Sequence, residues 1–142
     1  MSVEMKLEGF DTLLSKLEKM NGNVNKAQNQ ALHAGADIVE KAQKDIVRRE
    51  AYDTGQLHDG LKKGRITTKN GVKSISIGIQ KSDNSSIFYG KFINWGWTRK
   101  TKKGTKVYSG IHFMERSKEE NKDKILNAMK SVIKEAIDNA KR

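Results

Sequence analysis

Residues 87–117, with the sequence IFYGKFINWGWTRKTKKGTKVYSGIHFMERS, combine aromatic and cationic side chains that are sparse elsewhere in the chain. The stretch holds both tryptophans, two of the three tyrosines and three of the four phenylalanines. Its centre carries five cations with no acid among them: Arg99, Lys100, Lys102, Lys103 and Lys106. Such a run repels itself and stays solvated until it meets a partner. We therefore predict an exposed basic loop at this point of the chain.

Apolar residues flank the basic segment on both sides and are expected to anchor it in the core. Those before it are Tyr89, Phe92, Ile93 and Trp95, and those after it are Val107, Ile111, Phe113 and Met114. The side chains predicted to contact a partner are Trp95, Trp97, Arg99, Lys100, Lys102, Lys103 and Lys106. A surface loop without a binding role would show a similar pattern, but loops of this length in compact domains are usually functional or disordered.

The net charge of +11 is concentrated in the middle of the chain. Residues 61–110 contain 12 basic side chains and one acid, Asp83, whereas the segments before and after them are nearly balanced. A solvated helix face would carry mixed charge. A segment of this length with a single acid instead indicates an anionic partner.

Length and composition favour one domain spanning residues 1–142, with a lean core that neighbouring subunits could complete. Without cysteine the chain has neither disulfides nor thiolate metal ligands. The three histidines, His33, His58 and His112, lack the spacing of a metal site. No apolar run approaches the ~20 residues of a membrane span. We expect no cofactor, no metal and no membrane contact.

Periodicity predicts the remaining elements in order. A short strand precedes Gly9, and a short helix over residues 10–20 is followed by a long helix over residues 24–47. The stripe of that long helix begins with small residues, including Ala31 and Gly35, which predicts close packing within one subunit or between subunits. Residues 52–55 predict a break, and residues 66–79 predict a hairpin around Asn70-Gly71.

The chain ends in a predicted amphipathic helix. Its apolar residues recur at helical spacing from Ile125 to Ala140. Ser117 and Glu120 fit a capping box, which would start this helix at Lys118. We therefore predict an α+β fold, in which a small antiparallel sheet with the central hairpin packs against the long second helix and the C-terminal helix.

The sequence offers little for catalysis. His58-Asp59 and His112 with Glu115 are pairs without a third member, and the basic segment supplies no nucleophile with a base. The glycines around Gly104 lack the order of a phosphate-binding loop. We expect a protein that is not an enzyme.

Three short motifs resemble the neck and tail-completion proteins of long-tailed double-stranded DNA phages, a group related to the lambda tail-completion protein Z. They are Thr-Gly-Gln-Leu from position 54, Tyr-Gly-Lys-Phe-Ile-Asn-Trp-Gly from position 89, and His-Phe-Met-Glu-Arg-Ser from position 112. The resemblance implies structural roles for the residues that match the family pattern. They are Thr54, Gly55, Leu57, Tyr89, Ile93, Gly96, Phe113 and Met114. The chain departs from the pattern at several positions, including Asn94 and Arg116, where the family carries other residues.

The resemblance implies a non-catalytic structural component of the head-tail junction or tail of a phage or prophage. Its expected partners are neck, tail or connector subunits, further copies of the chain that could form a ring, and DNA in the channel. Its expected location is the neck or tail of the virion, after assembly in the bacterial cytoplasm. The alternative is a stand-alone nucleic-acid-binding protein that uses residues 95–106, since cations between aromatics suit both phosphate contact and base stacking.

Overall fold

The computed structural model describes residues 2–50, 56–80 and 84–141. Its helices are α1 (Asp11–Lys19), α2 (Val24–Glu50), α3 (Gln56–Gly60), α4 (Asn84–Trp95), α5 (Phe113–Glu119) and α6 (Lys122–Ala140). Its strands are β1 (Ser2–Lys6), β2 (Leu61–Lys69), β3 (Val72–Ile79), β4 (Gly96–Thr101) and β5 (Gly104–Ser109). This arrangement confirms the predicted α+β fold with long helices and small antiparallel sheets.

The larger sheet has the order β1-β3-β2, with both neighbours antiparallel to β3. Alternation places Ile75, Ile77 and Ile79 on one face of β3, and all three are buried. On the opposite face Ser74 is also buried, and its hydroxyl lies 3.2 Å from the Thr67 hydroxyl of the neighbouring strand β2.

The turn between β2 and β3 is formed as predicted. Asn70 and Gly71 both have positive φ, 52° and 79°, as a type I′ turn requires. This conformation matches the twist of the flanking strands and fixes their register, with Lys69 opposite Val72.

The variant Gly71→Val is expected to lower the free energy of unfolding by roughly 1–3 kcal/mol, because a β-branched residue is forced to positive φ. Lys69 is the exposed last residue of β2 and directly precedes the turn. Lys69→Ala should leave the free energy of unfolding nearly unchanged. Urea unfolding of the two variants checks the prediction. Equal losses would show that the turn conformation contributes nothing to stability.

Helix α2 is the centre of the fold, because it packs against the sheet and against both C-terminal helices. Asn23 caps its first turn by accepting a hydrogen bond from the Lys26 amide at 3.0 Å. Its small residues face the interior, where Ala31 and Gly35 are buried. A side chain at Gly35 would meet Met129 of α6 at 2.8 Å and Met5 of β1 at 3.0 Å. The small residues therefore make room for methionine side chains of two neighbouring elements.

Gly35→Leu is expected to destabilise the fold by about 1–3 kcal/mol through overpacking between α2, Met5 and Met129. Gly35→Ala should cost much less, because the methionine ends can move and alanine favours the helix. Melting temperatures of both variants test this difference. An unchanged melting temperature for Gly35→Leu would contradict the close contact.

The C-terminal helical region differs from the prediction in where it starts. Helix α5 already begins at Phe113, and the chain breaks only at Glu120 and Asn121 before α6. The predicted capping box is wrong, because Ser117 is buried inside α5 and its hydroxyl donates to the Met114 carbonyl at 2.6 Å. Asn121 instead joins the two helices by donating to the Ser117 carbonyl at 2.9 Å.

The apolar interior forms two clusters. The larger one joins α1, α2 and α6 to the sheet. The smaller one lies at the other end of α2 and contains the buried side chains of Ile46, Val47, Leu57, Leu61, Ile79, Phe113 and Met114. Half-buried Ile93 and Ile111 pack against this second cluster, so it supports both ends of the segment that contains β4 and β5.

Candidate interaction surface: the basic hairpin

The predicted basic loop is a β-hairpin. Strands β4 and β5 pair antiparallel from Gly96 opposite Ser109 to Thr101 opposite Gly104, with Lys102 and Lys103 in the turn. The Thr101 hydroxyl donates to the Gly104 carbonyl at 2.8 Å and closes the turn. Threonine, valine and aromatic residues favour this extended pairing in spite of the charge. We call residues 96–109 the basic hairpin.

Two glycines allow close backbone contacts at the base of the basic hairpin. Gly96, the first residue of β4, has φ +80°, and a Cβ there would lie 2.2 Å from the Tyr108 carbonyl oxygen of β5. A Cβ at Gly110 would lie 2.2 Å from the Asn94 carbonyl oxygen. Any side chain at either position would therefore push backbone against backbone.

Asn94 connects the end of α4 to the start of α5. Its side-chain oxygen accepts from the Met114 amide at 3.1 Å, and its side-chain nitrogen donates to Glu115 Oε1 at 3.1 Å. The Asn94 carbonyl also accepts from the His112 amide at 2.9 Å. His112 itself has φ 51° and makes no side-chain cap. The buried Asn94 therefore caps α5 from another helix and holds both ends of the basic hairpin together.

Arg116 strengthens the same junction from outside. Its guanidinium binds both carboxylate oxygens of Glu50, at 3.0 and 2.8 Å, and donates to the Ile111 carbonyl at 3.2 Å. It also binds Glu120 at 3.1 Å. Hydrogen bonds to Glu120 and Glu50 raise the pKa of Arg116 above its ordinary value. Helix α5 is thus fixed to the end of α2.

An aromatic group attaches the hairpin to α4. The Trp97 and Tyr108 rings stack with centroids 4.4 Å apart and an angle of 10°, and Phe92 of α4 meets Trp97 edge to face at 5.6 Å. Lys106 Nζ lies 5.2 Å from the centre of the Tyr108 ring. Trp97, predicted as a partner contact, is therefore engaged within the chain while 39% of its surface stays exposed.

The cations of the basic hairpin have no acidic partner among the residues that the structure describes. Arg99 lies directly opposite Lys106, where like charges destabilise a strand pair. In the other hairpin, Lys63 Nζ lies 2.6 Å from Asp37, and Lys73 donates to the neutral amide oxygens of Asn25 and Asn29 of α2. The five cations on β4, β5 and their turn are therefore a substantial part of the positive excess seen in the sequence.

Exposed apolar residues lie on the same surface. The large hydrophobic side chains that are exposed in the described chain are Trp95 (53%), Trp97 (39%), Val107 (69%) and Leu126 (43%). All but Leu126 belong to the basic hairpin or its base. Uncompensated cations combined with exposed apolar side chains are typical of a surface that binds another macromolecule.

The structure brings together four of the residues expected to be structural from the family motifs. Leu57, Phe113 and Met114 belong to the smaller cluster, and Ile93 packs against it. Gly96 lies at the close contact beneath the hairpin. Tyr89 is in α4, but its side chain is outside the part of the chain that the structure describes. Thr54, Gly55 and the predicted break at residues 52–55 also lie outside the described residues.

Sequence reasoning missed Asn94 and Gly110 as elements of the site. The signal available for Gly110 was a pair of glycines, Gly96 and Gly110, on the two sides of the basic run. Asn94 stood out only as a departure from the family motif. Its role depends on a contact with α5 that local sequence does not reveal.

No catalytic arrangement emerges within the described residues. His58 Nδ1 lies 2.9 Å from Asp59, and His112 Nδ1 lies 3.7 Å from Glu115, but each pair lies at the surface without a nucleophile. The described ranges contain no group of three histidine or acidic residues that could hold a metal ion. Among them there is also no helix with the length and apolar character needed to cross a membrane.

The described residues thus combine an α+β fold with an exposed surface that is basic and partly apolar. A family model described as "Bacteriophage HK97-gp10, putative tail-component" matches residues 11–96, which is more than half of the chain. The chain belongs to this HK97-gp10-like family of phage tail components, which gives it a structural role in a phage tail and a place in the virion. The matched region ends where the basic hairpin begins. Neither curated proteins nor solved structures gave a match.

Proposed function

We propose that the protein completes the tail or joins it to the head, as a non-catalytic component of the neck or upper tail. The basic hairpin carries this proposal. It presents exposed apolar side chains and five cations that pair with no acid among the described residues, on a support that is fixed by Asn94, Gly96 and Gly110. A surface held this firmly suits a permanent contact with another subunit of an assembled particle. The relation to lambda protein Z stays a prediction.

The basic hairpin also favours an oligomeric setting. Nearly all its residues are exposed, and its main support within the chain is α4. A two-stranded hairpin is marginally stable in water when isolated. Neighbouring subunits would cover its strands and compensate its charge, as in a homo-oligomer or a ring joined to connector or tail subunits, built in the bacterial cytoplasm.

The alternative of a stand-alone nucleic-acid-binding protein makes a different use of the same residues. Base stacking needs free aromatic faces, but Trp97 and Tyr108 stack on each other and Lys106 lies over the Tyr108 ring. Phosphate contact by the cations remains compatible with DNA confined in the channel of a particle. DNA contact is therefore secondary in our proposal.

Disruption of the gene in the encoding phage tests this function. We expect DNA-filled heads and tails to accumulate separately in electron micrographs of the lysate. Addition of the purified protein should restore joined, infectious particles. Joined particles in normal yield without the protein would overturn the proposal.

A further inference from the structure

We propose that one face of the basic hairpin binds an acidic, partly apolar surface of a neighbouring virion protein, with Val107 at the centre of the contact. This inference rests on the proposed function and specifies the partner of the same surface. We call the face that carries Thr98, Lys100, Thr105 and Val107 the open face.

The open face follows from the register. Thr98 lies opposite Val107, and Lys100 lies opposite Thr105, so these four side chains share one side of the hairpin. Trp97, Arg99, Lys106 and Tyr108 share the other side. On that side Trp97 meets Phe92 of α4 and stacks on Tyr108. The hairpin thus uses one side for its own support, and the four residues of the open face are exposed.

The chemistry of the open face favours a protein. Val107 is the most exposed of the large hydrophobic residues in the described chain, with 69% of its surface accessible. Trp95, Thr98 and Val107 line one shallow concavity at the base of the hairpin. A valine beside a half-exposed tryptophan gains free energy when another apolar surface covers it, and a phosphate backbone offers no such surface.

Charge determines what surrounds that apolar centre. Of the five cations, Lys100 shares the open face with Val107, Lys102 and Lys103 lie in the turn, and Arg99 and Lys106 lie on the other side of the hairpin. None of them has a carboxylate partner in the described chain. Two copies of the basic hairpin would repel each other, so the occupant is a different surface. Carboxylates around an apolar centre would match this arrangement, since interfaces combine a desolvated core with a complementary polar rim.

The test uses tails and DNA-filled heads purified from the encoding phage after disruption of the gene, and separately a mixed-sequence duplex DNA. Binding of purified wild-type protein is compared with that of Val107→Thr, which keeps the shape and strand preference but replaces a methyl group by a hydroxyl. Val107→Ile keeps the apolar contact. Leu126→Gln removes an exposed apolar side chain of α6 and serves as the matched control.

We expect Val107→Thr to bind the heads or tails about tenfold more weakly, with an unchanged melting temperature, because the substitution removes apolar burial and desolvates a hydroxyl. Val107→Ile and Leu126→Gln should bind like the wild type. Wild-type affinity of Val107→Thr would overturn this inference and leave the proposed function intact. Absence of wild-type binding to either particle would overturn the proposed function. A third outcome would favour the alternative of a stand-alone nucleic-acid-binding protein. In it, the wild type and Val107→Thr bind duplex DNA equally tightly, and neither binds the particles.

Discussion

The variant Gly96→Ala is expected to lower the free energy of unfolding by about 2–4 kcal/mol. About 1 kcal/mol comes from placing a Cβ at φ +80°. The rest comes from steric overlap, because that Cβ would lie 2.2 Å from the Tyr108 carbonyl oxygen and 2.6 Å from the Gly110 nitrogen. Relief requires the end of β5 to move away from Gly96 at the base of the basic hairpin.

Gly9→Ala is a matched control for this prediction. Gly9 has a similar φ of +86°, but an added Cβ there would have no atom within 4 Å apart from those of Gly9 and its two chain neighbours. Gly9→Ala should therefore lower the free energy of unfolding by only about 1 kcal/mol. Urea unfolding of both variants at one pH gives the comparison. Similar losses for the two would show that the close backbone contact at Gly96 is unimportant.

The variant Asn94→Asp is expected to lose about 2–4 kcal/mol of stability at neutral pH. The new carboxylate could still accept from the Met114 amide, but it would be buried and would face Glu115 where the amide nitrogen now donates. Glu115→Gln should rescue this variant by at least about 1 kcal/mol, because the glutamine amide can donate to the new carboxylate. No rescue would contradict the assigned hydrogen bonds.

The stability that Asn94→Asp loses relative to the wild type should increase as the pH rises. Burial and the Glu115 charge raise the pKa of the introduced carboxyl in the folded state above its unfolded value of about 3.9. A group with a raised folded pKa contributes stability that is present below the unfolded pKa and is lost as pH rises through the folded pKa. The deficit relative to wild type should thus be small near pH 4 and grow toward pH 7. A deficit that is constant over this range would indicate a steric cause.

Elements with a strong local signal were predictable from the sequence. The spacing of Leu13, Leu14 and Leu17 indicated α1, and the isoleucines of β3 with Asn70-Gly71 indicated the first hairpin. In both cases the burial pattern and the local backbone preference favour the same structure. Ala31 and Gly35 were predicted to pack closely either within one subunit or between subunits, and the structure places both inside the fold.

The second hairpin could not be predicted because its strands carry no apolar alternation. Arg99, Lys100 and Lys106 dominate β4 and β5, and such a charged run indicates a solvated loop. Its pairing depends on the Trp97–Tyr108 stack and on the contact between Gly96 and Gly110, which join residues distant in sequence. The start of the last helical region was misplaced for a similar reason, because Asn94 caps α5 from another element.

The candidate site was predictable in composition but not in geometry. The sequence revealed the excess of cations and the aromatic residues at positions 95–106. Only the structure shows that Lys63 pairs with Asp37 of α2 while the hairpin cations have no acidic partner in the described chain. It also shows that the Trp97 ring contacts Phe92 and Tyr108. It also identifies Val107, which the sequence suggested only as an anchor in the core, as an exposed residue.

The central claim is that the charge of the basic hairpin is required to join virion parts. It is tested by adding purified variants to a lysate of phage that lacks the gene and counting infectious particles. The test variant replaces Arg99, Lys100, Lys102, Lys103 and Lys106 by glutamine. The control variant replaces five exposed cations of the C-terminal region in the same way: Lys122, Lys124, Lys130, Lys134 and Lys141.

Both variants remove the same number of charges, so a general effect of net charge would affect them equally. We expect the control to restore particles nearly like the wild type and the hairpin variant to restore at least about tenfold fewer, because complementary charge governs encounter and specificity at such interfaces. Both should keep the wild-type melting temperature, since these side chains are exposed. Equal yields of infectious particles from the hairpin variant and the wild type would contradict the account.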